Sequence, residues 1–248
     1  MHTLRVATGE PGTGDDDGLV QLGYVEVDPA TLTGPGGGLD PLLAGRVIDN
    51  QPDSWPEDLP ADGWRVIYTR DDRGKGSSVL VEVFAAPLPA FDGGFAMVSL
   101  ALGKRDGKLR VGCDPGPVPV SPGRAARRHG LRLEWRKPLV RARAGLPLEL
   151  TIDLANRSWH RWHNIADDST IVVGWLLDAE GNRLRDGDWH FGYGGRDLLP
   201  CLEPEREQEL TVRILTPEIQ TVPPGTYGLE AMLADLNLRS EPATLLLA

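Results

Sequence analysis

One segment of the second half combines the side chains that most often bind ligands. Residues 158–164 contain two Trp and two His within seven positions, and Asp167 and Asp168 follow closely. A further Trp-His pair comes downstream. The candidate ligand-binding residues are therefore Trp159, His160, Trp162, His163, Trp189 and His190.

Three roles are open for this Trp/His cluster. In one helical turn, His160 and His163 would face the same side and could bind a divalent metal with His190 or Asp167 as the third ligand. Exposed Trp rings beside Asp and Arg could instead form a platform on which a sugar or another ligand stacks. In the third role, Trp159 closes the end of a β-sandwich and the histidines are solvated loop residues.

Signatures of common enzyme chemistry are missing from the sequence. It contains neither G-x-S-x-G nor H-E-x-x-H. Cys113 and Cys201 lie one in each half with no CxxC, and the segment 74–78 lacks the first glycine of a P-loop. Whether the protein is an enzyme is thus left open, although the sequence favours a protein without catalytic activity. We predict no cofactor and no bound metal.

Charge is distributed very unevenly along the chain. Residues 1–60 hold 11 acidic and two basic residues, whereas residues 104–143 hold twelve basic and three acidic residues. The net charges of these segments are therefore −9 and +9, and opposite charges of this size attract at moderate salt, either within one chain or between neighbouring copies. The candidate protein-interaction residues are Arg124, Arg127, Arg128, Arg132, Arg136, Asp15, Asp16 and Asp17.

The same charges narrow the class of partner. The whole chain has a formal net charge of −10. Within residues 124–143, the second half of the basic segment, Trp135 is the one Phe, Trp or Tyr. A nucleic-acid site needs a basic surface with aromatic or base-reading side chains, so we expect no nucleic-acid partner. A protein partner or self-association is expected, and a glycan is an alternative ligand.

Alternating hydrophobic and polar residues predict β-strands from residue 64 onward. Leu131, Leu133 and Trp135 alternate with charged residues, and the same pattern holds over 148–154 and 210–214. The 30 Gly and 21 Pro residues supply frequent turns. We predict an all-β protein with two β-sandwich-like units and a loop-rich acidic N-terminal segment.

Proline marks the expected boundary between these units. Residues 114–123 contain four prolines, which we interpret as an extended connector because proline cannot donate to a sheet ladder. The predicted organisation is an acidic flexible arm over 1–17, a β-rich domain over 18–123 with the connector at 114–123, and a sandwich over 124–248.

The turn motifs of residues 131–248 resemble those of bacterial immunoglobulin-like and fibronectin-III-like β-sandwich modules. These modules have a strand ending in Asn with a Trp just beyond it, then D-x-x-G, L-x-P-G-E and P-P-G-x-Y turns. Glu205 stands where the third motif usually has Gly. The segments that carry the resemblance are 145–147, 154–159, 178–181, 199–205 and 223–227.

The resemblance implies an immunoglobulin-like C-terminal unit with a role in adhesion, spacing or attachment. We therefore expect a non-enzymatic binding or assembly protein that acts through β-sandwich surfaces and self-associates by its acidic arm and basic segment. The alternative is a carbohydrate- or ligand-binding accessory module using the Trp/His cluster, and a metal-dependent hydrolase ranks third. The N-terminal residues lack an export signal and no apolar run is long enough to span a membrane, so we expect a cytoplasmic location.

Overall fold

The chain divides into two compact units, one ending at Gly123 and the other beginning at Arg124. This division comes from a computed structural model, which describes residues 18–49, 57, 59–73, 79–103, 107–146, 150–184, 197–214 and 222–248. Strands dominate both units, so the expected all-β class is confirmed. The acidic residues Asp15, Asp16 and Asp17 lie outside the described residues.

The first unit is built on one antiparallel sheet with the strand order β2-β1-β6-β5-β4-β3. Its inner strands pair on both sides, and the hairpin β1–β2 joins the sheet through β6. The strands are β1 (Val20–Leu22), β2 (Val25–Val27), β3 (Arg65–Asp71), β4 (Leu80–Pro87), β5 (Gly94–Leu102) and β6 (Leu109–Pro122).

The sheet of the first unit is buried on both faces at its centre. On β4, Val81 and Val83 pack into one hydrophobic cluster, while Phe84 and Ala86 pack into another on the opposite face. The second cluster includes Trp64, whose indole Nε1 donates to the carbonyl oxygen of Pro60 at 2.6 Å. Because successive side chains of a strand point to opposite faces, β4 contributes to both clusters.

The Pro-rich segment 114–123 is not a connector, because most of it forms the second half of β6. This strand pairs with β5 on one side and with β1 on the other. The register shifts between Phe95 and Met97, so that Ala96 of β5 faces three residues of β6, Pro115 to Pro117. A bulge of this kind leaves residues out of the ladder of hydrogen bonds. Pro115 and Pro117, which have no N–H to donate, therefore cost the sheet no hydrogen bond.

The second unit contains the remaining strands and orders them as β7-β9-β11-β10-β12-β14-β8, with β13 pairing on β12. Most neighbours are antiparallel, but the β10–β11 and β14–β8 pairs are parallel. The strands are β7 (Leu131–Glu134), β8 (Leu139–Ala142), β9 (Leu150–Asn156), β10 (Val172–Leu177), β11 (Glu207–Ile214), β12 (Gly225–Leu233), β13 (Leu238–Arg239) and β14 (Ala243–Leu247).

One hydrophobic core fills the second unit. It combines inward-facing residues of strands from both halves of the strand order, such as Leu133 and Ile152 from one half and Leu176 and Leu245 from the other. Leu133 also bridges to Ser240 just beyond β13, so the sheet curls around this core. The arrangement is sandwich-like, since two groups of strands cover a common interior.

Helices are a minor part of the structure. They are α1 (Pro29–Thr33) and α2 (Leu39–Leu43) in the first unit, and α3 (Arg124–Arg127) at the start of the second. Within the described ranges, none of them has the length and apolar character that a membrane crossing requires.

Two adjacent glycines give a test of the packing in the first unit. A Cβ atom on Gly36 would lie 2.4 Å from the carbonyl carbon and oxygen of Gly63, whereas one on Gly37 would meet nothing within 4 Å. We expect Gly36→Ala to lower the free energy of unfolding by about 1–3 kcal/mol, because the backbone at residue 63 must move. Urea denaturation measures the change. Gly37→Ala is the matched control, and equal losses for both variants would contradict the close approach.

Candidate functional site

A buried amide at the end of β9 organises the loop that carries the Trp/His cluster. The side chain of Asn156 is fully buried, and its Nδ2 donates to the carbonyl oxygens of His160 at 2.8 Å and Leu202 at 3.0 Å. Its Oδ1 accepts from the backbone N–H and the hydroxyl of Ser158 at 3.0 and 2.7 Å. All four hydrogen-bonding positions of the amide are used, which fixes the loop over 157–160 against residue 202.

Two neighbouring segments are tied to the same place. The backbone N–H of Arg157 donates to the carbonyl oxygen of Gly130 at 2.7 Å, and that of Glu205 donates to the carbonyl oxygen of Asn156 at 2.9 Å. Gly130 has a φ of 77°, and a Cβ atom there would lie 2.6 Å from the Cβ of Ser158. Glycine at this position therefore permits the close approach of the segment before β7 to the loop after β9.

These three segments surround an open depression of about 610 Å³ in the second unit. Its lining combines an aromatic ring, a guanidinium group, an imidazole, a hydroxyl group and a carboxylate. The lining residues are His129, Gly130, Arg157, Ser158, Trp159, Pro204 and Glu205.

Trp159 is more exposed than Trp162, the other described tryptophan of the cluster, with 87% of its surface accessible. Its ring is tilted by 53° to that of His160, and the ring centroids are 5.9 Å apart. His160 is also exposed. A large apolar ring held in water beside a depression is available for contact with a ligand.

Trp162 has the opposite environment and serves as a core residue. Only 7% of its surface is exposed, its indole Nε1 donates to the carbonyl oxygen of Arg127 at 2.5 Å, and its backbone bridges to Leu202. The structural role that the sequence suggested for Trp159 therefore belongs to Trp162. Since its ring is buried and its N–H is satisfied, Trp162 is no part of an exposed platform.

Arg157 stands between three carboxylates at the rim of the depression. Its Nη2 donates to Glu134 and, at 2.7 Å, to Glu207, while its Nη1 lies 3.7 Å from the carboxylate of Glu205. The hydrogen bonds from Arg157 lower the pKa of Glu134, and those to Glu134 and Glu207 raise the pKa of Arg157. One positive and three negative charges meet here, so carboxylate oxygens are in excess. Glu205 keeps 70% of its side chain exposed.

The metal site considered for this loop does not form among the described residues. Residues 160–163 are not helical, so His160 and His163 do not share a helical face. His163 instead has its Nδ1 4.0 Å from the Sγ of Cys201, and both residues are exposed. No group of three or more His, Cys, Asp or Glu side chains in the described ranges could hold a metal ion. Trp189, His190 and the arrangement around them lie outside those ranges.

Three of the predicted interaction residues bond within the second unit. Arg127 is buried on α3, and its Nη1 lies 3.2 Å from Asp168 Oδ1, with 4% of each side chain exposed. Burial raises the pKa of Asp168 in spite of the nearby guanidinium. Arg124 and Arg128 donate to carbonyl oxygens of the turn between β12 and β13, at residues 235–237. These guanidinium groups attach α3 to the body of the unit.

The other two arginines among the predicted interaction residues lie on or beside β7. Arg136 donates two hydrogen bonds to Asp153, at 2.7 and 2.8 Å, and forms a 2.5 Å ion pair with Glu209. Arg132 is exposed and forms no ion pair with the described residues. The basic segment thus includes both engaged and available cations.

No family model, curated protein or solved structure matches this chain. The interpretation of the depression therefore depends on its own geometry.

Sequence reasoning identified Trp159 but not the residues that complete the depression around it. His129, Arg157 and Glu205 come from three segments that are far apart in the chain and meet through the backbone of Asn156 and Gly130. The one local signal was Asn156 at the end of an alternating strand, because a buried Asn at a strand end often holds the following turn.

The amide of Asn156 gives a test of this organisation. Asn156→Ala removes four hydrogen bonds and leaves the N–H of Ser158 without its partner, while the carbonyl oxygens of residues 160 and 202 keep the hydroxyl of Ser158 and the N–H of Trp162. We therefore expect a loss of about 2–4 kcal/mol in the free energy of unfolding. Urea denaturation measures it. Asn182→Ala removes an amide from an exposed turn and is the matched control, with an expected loss below about 1 kcal/mol. Similar losses for both variants would contradict the assigned role of Asn156.

Proposed function

We propose that this chain is a binding protein that recognises a carbohydrate at the depression beside Trp159. The single observation that carries the proposal is the 87% exposure of Trp159 on a loop held rigidly by Asn156. Burying a ring of this size stabilises a complex through its large apolar area. A rigid loop also reduces the entropy lost when a ligand binds.

The polar groups of the depression favour a neutral ligand rich in hydroxyl groups. Hydroxyl hydrogens need acceptors, and the carboxylate of Glu205 is largely exposed beside Trp159. His129 and Arg157 supply nitrogen atoms on the same surface. The excess of carboxylates around Arg157 repels phosphate and other anions. A pyranose ring has an apolar face for the indole and hydroxyl groups at its edge for these side chains, and the open shape suits a sugar chain.

We further propose that the second unit is an immunoglobulin-like sandwich. The orders β7-β9-β11 and β10-β12-β14 correspond to strands A-B-E and C-F-G of such a domain. Tyr227, near the start of β12, donates its hydroxyl hydrogen to the carbonyl oxygen of Pro223 at 2.8 Å, as in the tyrosine corner of strand F. Cys201 is the one cysteine of residues 124–248, so the disulfide of antibody domains has no counterpart in this unit.

This correspondence adds support to the site. The loop between β9 and β10, which carries Trp159, takes the place of the B–C loop. Loops at the end of such a sandwich are the usual binding regions of antibody variable domains. Loops on a rigid scaffold are also the common location of binding residues in general.

Binding of soluble oligosaccharides tests the carbohydrate proposal. A panel of β-glucan, xylan, chitin, α-glucan and mannan oligosaccharides is titrated against the full chain by calorimetry, at sugar concentrations up to the millimolar range. We expect at least one to bind, and Trp159→Ala to weaken that binding by about tenfold or more, because stacking on the indole is lost. Trp159→Phe should retain part of the affinity.

Phe91→Ala is the control, because Phe91 is 51% exposed but belongs to the first unit. It should bind as the unchanged protein does. Lack of binding to every member of the panel, or equal affinity of Trp159→Ala and the unchanged chain, would refute a carbohydrate site at Trp159.

Self-association through the acidic arm and the basic segment is the second candidate function. The exposed cation of Arg132, which has no ion pair among the described residues, favours it. Arg124, Arg127 and Arg128 contribute less, since their guanidinium groups are engaged within the unit.

Light scattering tests this second candidate. We expect the mass of the full chain to exceed that of a monomer at low salt and to fall toward it as the salt concentration rises, because screening weakens ion pairing. Deleting residues 1–17 should abolish this increase in mass. It should leave the first unit intact, since the described core of that unit begins at Val20. A monomer at all salt concentrations would refute self-association.

A further inference from the structure

We propose that the open edge of β8 is a docking site where an extended acidic segment of a partner protein adds as a further strand. This surface is separate from the depression at Trp159, and the proposal does not depend on the carbohydrate. Strand addition of this kind obtains its affinity from main-chain hydrogen bonds and its specificity from side chains along the edge.

The hydrogen bonds between β8 and β14 define which backbone groups remain available. The carbonyl oxygens of Pro138 and Ala142 accept from the N–H groups of Thr244 and Ala248 at 2.8 and 3.0 Å, and the N–H of Ala144 donates to Ala248 at 2.7 Å. Even-numbered residues of this segment therefore face β14. Because successive residues of a strand direct their N–H and C=O groups to alternate sides, the odd-numbered residues face away from it.

Leu139 and Arg141 consequently present their backbone N–H and C=O groups at the other edge of β8. In the strand order of the second unit, β8 is terminal, and no described strand or bridge pairs with that edge. These two residues offer two backbone donors and two backbone acceptors in a row, and an incoming strand needs such a row to form hydrogen bonds with the edge. The strand itself is anchored, since Val140 and Ala142 pack against the core.

The side chains along this edge select the charge of the partner. Lys137, Arg141 and Arg143 are exposed, and none of them forms an ion pair with the described residues. Leu139, with 39% of its surface exposed, adds an apolar contact between these cations. An extended segment that alternates acidic and apolar residues would match both properties.

The same cations act against other occupants of the edge. Pairing with β8 of a second copy would bring the Arg141 side chains and their neighbours together, and like charges directly opposite each other destabilise a strand pair. Charged residues on an edge strand also discourage uncharged apolar strands. The acidic strand is the occupant for which these residues are favourable.

Fluorescence anisotropy with a labelled peptide of alternating Glu and Val, blocked at both ends, tests the proposal on the full chain. We expect the peptide to bind, and Arg141→Glu to weaken binding by about tenfold, because attraction becomes repulsion. A peptide with Lys in place of each Glu should not bind. Arg213→Glu is the matched control, since it makes the same charge change at an exposed site on the inner strand β11, and it should leave the affinity within about twofold.

Two further peptides separate strand addition from simple charge attraction. They carry N-methyl groups on alternate amides, one set for each edge of the peptide strand. A strand pairs through one edge only, so we expect one methylated peptide to bind as the parent does and the other to lose binding. Equal binding of both methylated peptides, an equal loss for Arg213→Glu, or no binding of the parent peptide would each overturn the proposal.

Discussion

The candidate site of the second unit depends on one buried amide with no unused hydrogen-bonding position. Asn156 joins the end of β9 to the loop over 157–160 and to the backbone at residue 202. In a low-dielectric interior, each missing partner would cost much of the desolvation energy of the remaining group. The loop is therefore held in one conformation, and the position of Trp159 follows from it.

Two neighbouring tryptophans have opposite environments in this arrangement. Trp162 closes the core and anchors α3 through the carbonyl oxygen of Arg127, whereas Trp159 extends into solvent. The loop thus stabilises the fold through one ring and offers the other for contact. The carboxylates around Arg157 give the adjoining depression an acidic character, which distinguishes it from the cationic edge at β8.

Periodicity was a good guide to the strands, because alternating burial depends on the local sequence alone. It identified the strands over Leu131–Glu134 and over residues 150–154. It did not predict the second half of β6, where a bulge opposite Ala96 accommodates two of the four prolines of 114–122. A bulge depends on the register with a neighbouring strand, and that register is a tertiary property.

The candidate site was predicted only in part, for a similar reason. Residue types singled out Trp159, but burial separated it from Trp162, and exposure is decided by how the loop folds back on residue 202. The basic segment was recognised as a charge cluster. Its division into internal anchors such as Arg127 and available cations such as Arg132 depends on Asp168 and on the turn after β12, which are distant in sequence.

The parallel pair of β8 and β14 has a consequence for biosynthesis. Leu139 pairs with Thr244, so a ladder between early and late parts of the second unit cannot form until residues near 247 have left the ribosome. Contacts that connect such remote positions also slow folding, because a long loop must close first. The core-facing side of β8 therefore stays exposed in the nascent chain while residues 143–247 are synthesised.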